Sequence, residues 1–292
     1  MKGLVTATHR RHYVVLLDDG RTIVCLIRGR SLAIACGDRV AVSLAGEADG
    51  VIDAVEPRSS LLFRSDAHRE KLLAANVTQV LGIVAPDPPY DDELVHRWIV
   101  AAESNHCRFA LIANKKDLPS FATLKSRLAQ FQALGYTVVA TSAAHDATNL
   151  AALLDGQRSV LIGQSGMGKS TLINTLVADA GARVGELSAS LRSGRHTTTE
   201  TTLYPLGAEA WIVDSPGMKE FGLGHLSPAE LEEAFVELRP LLGTCRFRNC
   251  RHDAEPGCAL QEAIADGQVK PWRVALLRQL LADTERRTRR WA

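Results

Sequence analysis

A glycine-rich segment in the middle of the chain has the residue types and spacing of a phosphate-binding loop. The pattern G-x-x-x-x-G-K-S begins at Gly163 and ends at Ser170. In such a loop, backbone NH groups and a helix N-terminus face phosphate oxygens, the lysine reaches the outer phosphates, and the serine hydroxyl holds magnesium. The apolar patterns of 159–162 and 170–177 predict the flanking strand and helix, and a chance glycine-rich turn does not account for Lys-Ser at this junction. The predicted nucleotide-binding residues are Gly163, Gln164, Ser165, Gly166, Met167, Gly168, Lys169, Ser170 and Thr171, with Ser170 also a magnesium ligand.

A second polar motif, N-K-x-D at 114–117, has the chemistry to recognise guanine. Four polar residues after a strand are usually a solvated turn, but these follow an apolar run at 108–113, and open α/β sheets bind ligands at the carboxyl ends of their strands. The Asp117 carboxylate can accept hydrogen bonds from guanine N1 and the guanine exocyclic amine, a pair of donors that adenine cannot supply. After one further strand, the T-S-A at 141–143 is placed so that its backbone could close over the guanine ring. The predicted guanine site comprises Asn114, Lys115, Lys116, Asp117, Ser142 and Ala143.

Two polar segments after the phosphate-binding loop carry residues that could contact magnesium and the γ-phosphate. A D-x-x-G motif follows the apolar run at 210–213, and it would place the Asp214 carboxylate near magnesium and the NH of Gly217 near the γ-phosphate. The stretch at 194–201 is rich in threonine, and we expect Thr198 to reach magnesium and the γ-phosphate when GTP is bound. The alternative is that the threonines only open the following strand, because β-branched residues suit that role.

Near the end of the chain, the pattern C-x4-C-x-H-x5-C has the composition of a structural zinc site. Three thiolates and one imidazole complete a tetrahedral coordination shell and leave no position for a catalytic water. A disulfide is disfavoured in a cytoplasmic chain, and accidental clustering of three buried cysteines is a minor alternative. We predict one structural Zn²⁺ bound by Cys245, Cys250, His252 and Cys258. The cationic and aromatic residues at 246–248 lie between these ligands and suit an RNA contact, whereas the basic tail is usually a solvated face, at Arg286, Arg287, Arg289 and Arg290.

Length and composition predict two or more domains, and we expect the protein to be cytoplasmic. Its 292 residues are 46% hydrophobic, and its net charge of +1 gives no overall basicity, so any RNA-binding surface must be local. No apolar stretch reaches the roughly 20 residues that span a bilayer, and the first ten residues lack the apolar core of a signal peptide. Of the six cysteines, Cys25, Cys36 and Cys107 stand alone, as expected of reduced buried thiols.

The remaining patterns predict a barrel followed by an α/β domain. In 1–75, short apolar runs at 13–17, 22–27 and 39–43 are separated by turn signals that include Asp-Gly, which predicts a small barrel and is consistent with an OB-type one. From residue 76, strands at 79–84, 108–113 and 137–140 alternate with helices at 92–104 and 122–134, which is the rhythm of a parallel sheet. We interpret Asp87-Pro88-Pro89 as a turn rather than a domain linker.

The order of the motifs predicts a circularly permuted GTPase, because N-K-x-D precedes the phosphate-binding loop here, whereas it follows that loop in an ordinary GTPase. The succession N-K-x-D, T-S-A, G-Q-S-G-x-G-K-S, G-R-H-T-T-T, D-S-P-G and a cysteine cluster resembles the RsgA (YjeQ, EngC) family of small ribosomal subunit biogenesis GTPases. The resemblance covers nearly the whole chain.

The resemblance implies an OB-type RNA-binding barrel at 1–75, a permuted GTPase domain at 76–224, and a mostly helical zinc-binding module at 225–292 that docks on the small ribosomal subunit. On this basis the expected partners are the subunit, its 16S rRNA and GTP or GDP, with no membrane contact, and the expected state is a monomer. The resemblance also favours RNA contacts by Arg10, Arg11, Arg28 and Arg30, although the sequence alone supports a solvated face equally well.

The residue that orients the attacking water is not obvious from the motifs. Many GTPases use a Gln next to D-x-x-G, but the corresponding residue here is Met218, which offers no amide. We predict that His196 takes this role, and the family motif G-R-H-T-T-T supports it, although a switch histidine can instead only bind phosphate or RNA. Two other functions remain open: an RNA-binding protein that uses GTP only as a structural ligand, and a P-loop kinase or ATPase, against which Asn114 and Asp117 argue.

Overall fold

The computed structural model describes residues 1–9, 12–27, 32–65, 70–184, 201–207, 209–214 and 220–291. Within these ranges, no helix combines the length and the apolar composition needed to cross a membrane. Several residues singled out by the sequence lie outside the described residues: His196, Thr198, Gly217, Met218, Arg10, Arg11, Arg28 and Arg30.

The first five strands form a closed barrel. These are β1 (Lys2–Thr8), β2 (Tyr13–Leu17), β3 (Thr22–Ile27), β4 (Arg39–Leu44) and β5 (Asp49–Val55). Their order is β1-β2-β3-β5-β4, and pairing between β4 and β1 closes the sheet, so none of the five remains an open edge. Residues alternate between core and surface along β3, where Ile23 and Cys25 lie inside. The predicted OB-type barrel is therefore confirmed.

A hairpin of β6 (Leu61–Ser65) and β7 (Glu70–Ala75), which the sequence analysis did not identify, joins the barrel to the rest of the chain. Just after it, the Asn76 side chain donates to the Gly37 carbonyl oxygen at 3.0 Å and accepts from the Ser59 NH at 3.0 Å. The hairpin also contacts the chain that follows D-x-x-G, because the Gly222 NH donates to the Phe63 carbonyl oxygen at 2.9 Å.

The central sheet contains β8 (Gln79–Val84), β9 (Arg108–Ala113), β10 (Thr137–Ala140), β11 (Arg158–Ile162), β12 (Thr201–Pro205) and β13 (Trp211–Asp214). Its order is β10-β9-β8-β11-β13-β12, and only β12 runs antiparallel to its neighbours. Every residue of β8 is buried, as in a parallel strand covered on both faces. The strand that precedes the phosphate-binding loop, β11, comes late in the chain but lies in the middle of the sheet, as the predicted permutation requires.

Helices on this sheet are α1 (Asp92–Ser104), α2 (Phe121–Ala133), α3 (Ala151–Leu154) and α4 (Lys169–Val184), with a 3-10 turn at Thr148–Leu150. The N-cap of α1 is Asp91, whose carboxylate accepts from the Glu93 NH at 2.9 Å. Its apolar residues recur at helical spacing, which buries Val95, Trp98 and Ile99 in the core.

The C-terminal part is mostly helical, as predicted. It contains α5 (Pro228–Glu233), a 3-10 turn (Arg239–Leu241), α6 (Ala259–Ala265) and α7 (Pro271–Trp291). A capping box starts α5, in which the side chains of Ser227 and Glu230 satisfy each other's backbone NH groups. The observed elements thus confirm the three-part fold class, whereas the boundaries at residues 75 and 224 remain predictions.

Buried polar contacts attach the helical part to α1. The Arg273 guanidinium, only 2% exposed, donates to both carboxylate oxygens of Glu237 and, at 3.0 Å, to Nδ1 of His96. His96 is fully buried, and burial followed by the positive charge of Arg273 lowers its pKa to about 3. The His96 ring is therefore neutral, and it accepts a hydrogen bond across the junction between α1 and α7.

Candidate nucleotide site and metal cluster

The glycine-rich loop lies between β11 and α4, where its close contacts need glycine. A Cβ on Gly163 would lie 2.6 Å from the carbonyl oxygen of Ile83, and a Cβ on Gly168 would collide with the Asn114 amide. Gly168 also has a φ of 96°, which disfavours other residues. Helix α4 begins directly after it at Lys169, and so the loop presents a helix N-terminus, the arrangement that binds phosphate.

The Lys169 ammonium is held against this loop. Its Nζ donates to the carbonyl oxygens of Gly163 and Gln164, the latter at 3.0 Å. Burial lowers the pKa of Lys169, while the nearby Asp214 carboxylate opposes that shift. Register places Asp214, at the end of β13, beside Leu161 of β11, which brings the predicted magnesium-side carboxylate next to the loop. Ser170 and Thr171 are exposed at the start of α4.

Asn114 connects three of the predicted motifs. It is 3% exposed; its Nδ2 donates to the Met167 carbonyl oxygen at 2.9 Å, and its Oδ1 accepts from the Ala143 NH at 2.9 Å. N-K-x-D, the phosphate-binding loop and T-S-A are thereby joined without any ligand. The sequence placed Asn114 in the guanine site, but it gave no sign that its side chain acts as a strut between loops.

The Asp117 carboxylate is exposed, and Ser142 holds it in place. The Ser142 hydroxyl donates to Oδ1 at 2.7 Å, and the Asp117 NH donates back to the same hydroxyl oxygen at 3.2 Å. The hydrogen bond from Ser142 is the largest cause that lowers the pKa of Asp117. The carboxylate is therefore ionised at neutral pH and can only accept hydrogen bonds, which suits the donors on the guanine edge.

The two lysines of N-K-x-D have separate surroundings. Lys115 has a φ of 60°, uncommon for a residue other than glycine, and its Nζ donates to the Asp87 carbonyl oxygen at 2.5 Å. The NH of Lys116 donates to the Thr141 carbonyl oxygen at 3.0 Å, which is a further contact between N-K-x-D and T-S-A.

The loop between β8 and α1 is a part of the site that the sequence analysis missed. Its Asp91 NH donates to Oε1 of Gln164 at 3.2 Å, and Pro88 lies 3.0 Å from where a Cβ on Gly166 would be. This loop therefore packs against the phosphate-binding loop. The Asp87-Pro88-Pro89 turn was the available signal, but a turn pattern alone does not show what the turn contacts.

The four predicted zinc ligands come together. Their ligand atoms all lie within 4.8 Å of one another, and Nδ1 of His252 lies 3.6 Å from Cys245 Sγ and 3.5 Å from Cys258 Sγ. With Zn–S near 2.3 Å and Zn–N near 2.0–2.1 Å, a tetrahedral site has S···N separations of about 3.6 Å. The donor set and its spacing therefore fit zinc. Cys250 completes the set of sulfur ligands.

The loop around this cluster is pinned by a carboxylate. Glu255 accepts from the NH groups of Arg251 at 2.8 Å and Asp253 at 2.9 Å, and these backbone hydrogen bonds lower its pKa to about 2.

Among the described residues, none of the six cysteines forms a disulfide. Burial raises the pKa of both Cys25 and Cys107 to about 11, as expected of buried thiols.

Comparison with known proteins agrees with the motifs. A family model described as "RsgA GTPase" matches residues 55–224. Two proteins named "Small ribosomal subunit biogenesis GTPase RsgA" are similar to this chain: one from Nitrosospira multiformis is 45% identical over 285 residues (97% of this chain, 91% of the relative), and one from Burkholderia pseudomallei is 48% identical over 288 residues (97% and 92%).

Solved structures agree as well. YjeQ from Thermotoga maritima superposes with a TM-score of 0.72 at 27% identity, covering 97% of this chain and 98% of its own. A protein described as "YloQ, a circularly permuted GTPase", at 23% identity, has the same fold, with a TM-score of 0.69 over 98% of this chain and 95% of its own. Family match, relatives and fold agree, and the chain belongs to the RsgA GTPase family.

Proposed function

We propose that this chain is a GTPase that binds the small ribosomal subunit and assists its late maturation, hydrolysing GTP to GDP and phosphate with turnover stimulated by the subunit. The contact that best supports it is the pair of hydrogen bonds by which Asn114 joins the guanine motifs to the phosphate-binding loop. Its close relatives carry the name of a small ribosomal subunit biogenesis GTPase, which supports the choice of partner.

GTP binding is assigned to the guanine motifs, N-K-x-D and T-S-A, and to the phosphate-binding loop. Asp117 accepts from guanine N1 and the exocyclic amine, while the backbone at 142–143 covers the ring. Backbone NH groups of 163–171 surround the α- and β-phosphates, and Lys169 reaches the outer phosphates. The lowered pKa of Asp117 supports this role, since a carboxylate that stays ionised discriminates GTP from ATP.

Hydrolysis is assigned to groups at the γ-phosphate. Ser170 and Thr198 would hold Mg²⁺, with Asp214 beside it; when bound, this ion neutralises charge on the β- and γ-phosphates. His196 orients the attacking water, and as the bond from the γ-phosphorus to the bridging oxygen breaks, Lys169 and the Gly217 NH stabilise the charge on the phosphate oxygens.

The barrel and the helical module are assigned to subunit binding. The barrel contacts 16S rRNA, and a single structural Zn²⁺ held by Cys245, Cys250, His252 and Cys258 fixes the RNA-binding surface of the module. The protein acts as a monomer in the cytoplasm, without membrane contact. No residue of the zinc cluster takes part in hydrolysis, because a closed four-ligand site has no position for a water.

The decisive experiment measures phosphate release from GTP by the purified zinc-loaded protein, alone and with isolated small subunits. We expect slow release alone, faster release with subunits, and loss of the stimulation in His196→Ala. His106→Asn is the matched control. His106 is exposed and has a φ of 53° that asparagine tolerates, and it precedes the amino end of β9, whereas N-K-x-D follows the carboxyl end.

Each other outcome points to a different function. Stimulation that survives in His196→Ala would keep the GTPase and assign the water to another group. GTP binding without turnover under any condition would indicate an RNA-binding protein with a structural nucleotide. Equal competition by ATP and GTP would indicate a P-loop ATPase or kinase.

A further inference from the structure

The imidazole of His252 has a different neighbour on each of its two nitrogens. Nδ1 lies 3.6 Å from Cys245 Sγ and 3.5 Å from Cys258 Sγ, whereas Nε2 lies 3.6 Å from the Glu232 carboxylate oxygen Oε1. The His252 side chain is 6% exposed, and that of Glu232 is 29% exposed. The ring therefore spans the space between the cysteine cluster and a carboxylate that belongs to another element, α5.

The Sγ···Nδ1 distances show that Nδ1 is the nitrogen that faces the metal position. They match the separation of about 3.6 Å that is expected between the sulfur and nitrogen ligands of one zinc ion. An imidazole that binds zinc through Nδ1 carries its proton on Nε2. That proton lies on the side of the Glu232 carboxylate.

The backbone of His252 is fixed by contacts that do not involve its ring. The His252 NH donates to Cys250 Sγ at 3.4 Å, and its carbonyl oxygen accepts from Gln261 Nε2 at 2.8 Å. These contacts place the Cα atom, but they leave the rotation of the imidazole open. A carboxylate facing Nε2 favours the same rotation and the same tautomer as a metal bound at Nδ1.

Glu232 lies on a capped helix, α5. The capping box of Ser227 and Glu230 starts α5, and Leu231 on one side of Glu232 is fully buried. These features fix the backbone of Glu232, which suits a group that orients a metal ligand.

We propose that Glu232 is a positioning residue of the zinc site: its carboxylate, 3.6 Å from Nε2 of His252, attracts the Nε2–H and favours the ring orientation in which Nδ1 faces the three thiolates. Glu232 thereby links the metal-binding loop to α5. The inference rests on the zinc binding assigned under the proposed function, but it concerns one further side chain outside the four ligands.

The test compares zinc affinity in three variants of the full-length chain: Glu232→Ala, Glu232→Gln and, as the matched control, Glu233→Gln. Glu233 is the next residue on α5, is exposed, and loses the same charge in the control. Competition with a chromophoric chelator should show zinc held about 10- to 100-fold more weakly in both Glu232 variants, as for other lost partners of metal-bound histidines, and within about twofold of wild type in the control. Equal affinity of Glu232→Gln and Glu233→Gln would overturn the proposal.

A second measurement on the wild type needs no variant to fold. The protein is loaded with ¹¹³Cd²⁺ and labelled with ¹⁵N-histidine, and the spin coupling between metal and nitrogen is assigned to one ring nitrogen. Coupling to Nδ1 is expected, and coupling to Nε2 would overturn the proposal. If the wild-type chain binds neither zinc nor cadmium, the zinc assignment of the proposed function fails, which is distinct from failure of the Glu232 inference.

Discussion

The nucleotide loops and the cysteine cluster hold polar side chains in place by different means. The nucleotide loops follow strands of one sheet, and Asn114 joins them through hydrogen bonds to the backbone of Met167 and Ala143. The four cysteine and histidine ligands all come from 245–258, a segment that contains no helix or strand. We infer that the sheet organises the nucleotide site before a ligand binds, whereas the cluster depends on its metal.

The largest effect that separates the two regions is expected from Cys258→Ser, which removes one zinc ligand. Structural zinc contributes apparent binding energies of about 10–16 kcal/mol in small zinc peptides. Segment 245–258 should lose its protection in hydrogen–deuterium exchange, while β8 and β11 keep theirs and GTP affinity changes by less than about threefold.

The control for this prediction is Cys107→Ala, which removes a buried thiol outside the cluster. It should leave zinc content and the protection of 245–258 unchanged. If the segment stays protected after zinc is lost, its own contacts suffice and the contrast between the two regions is wrong.

The next largest effect concerns ligand recognition by the preorganised region. Asp117→Asn replaces the carboxylate acceptor that two guanine donors would share, and hydrogen bonds to charged groups contribute about 1.5–3 kcal/mol each. We expect GTP affinity to fall by about 100-fold or more and affinity for xanthosine triphosphate to rise, as measured by competition with a fluorescent nucleotide. Asp155 is exposed and precedes the amino end of β11, away from the phosphate-binding loop at the carboxyl end. Asp155→Asn should therefore alter neither affinity.

Apolar patterning explains why most of the fold was predictable. The predicted strands at 79–84 and 108–113 match β8 and β9, because continuous apolar runs between turn signals are what a buried parallel strand requires. The zinc ligands could be found as well, since metal coordination brings residues close in sequence to one point. These patterns depend on local sequence alone.

Contacts between distant segments could not be read in this way. The pairing of Thr202 with Ala7, which joins the sheet to the barrel, brings together residues that no local pattern relates. The strut of Asn114 likewise depends on where three loops meet. Glu232 was overlooked for the same reason, because it is far from the cysteine motif in sequence.

A smaller effect should show how far the strut preorganises the nucleotide loops. Asn114→Ala leaves the Met167 carbonyl and the Ala143 NH without their side-chain partner. A buried polar group left without a hydrogen bond lowers stability by about 1–3 kcal/mol. We expect the free energy of unfolding in urea to fall by about 2 kcal/mol and GTP affinity to weaken in parallel.

Asn114→Asp sharpens this result, because its carboxylate can still accept from the Ala143 NH but faces the Met167 carbonyl oxygen with no hydrogen to donate. It should therefore also weaken GTP binding. If both variants bind GTP like the wild type, the loops are organised by the sheet alone and the strut is dispensable.

The smallest effect is expected at His96, in the junction between α1 and α7. The pKa of His96 is about 3 in the folded chain, below the 6.5 of a free histidine. As the pH falls, His96 therefore binds a proton in the unfolded chain but not in the folded chain. Stability should therefore fall as pH drops below about 7, by about 1.4 kcal/mol at pH 5.5 relative to pH 8. In His96→Asn, whose side-chain oxygen can still accept from Arg273, this component should vanish.

The measurement is the free energy of unfolding in urea at pH 8.0, 6.5 and 5.5 for the wild type and the variant. Zinc loss at low pH affects both proteins equally, so the difference between them isolates His96, and equal pH slopes would contradict a neutral, buried imidazole at this junction.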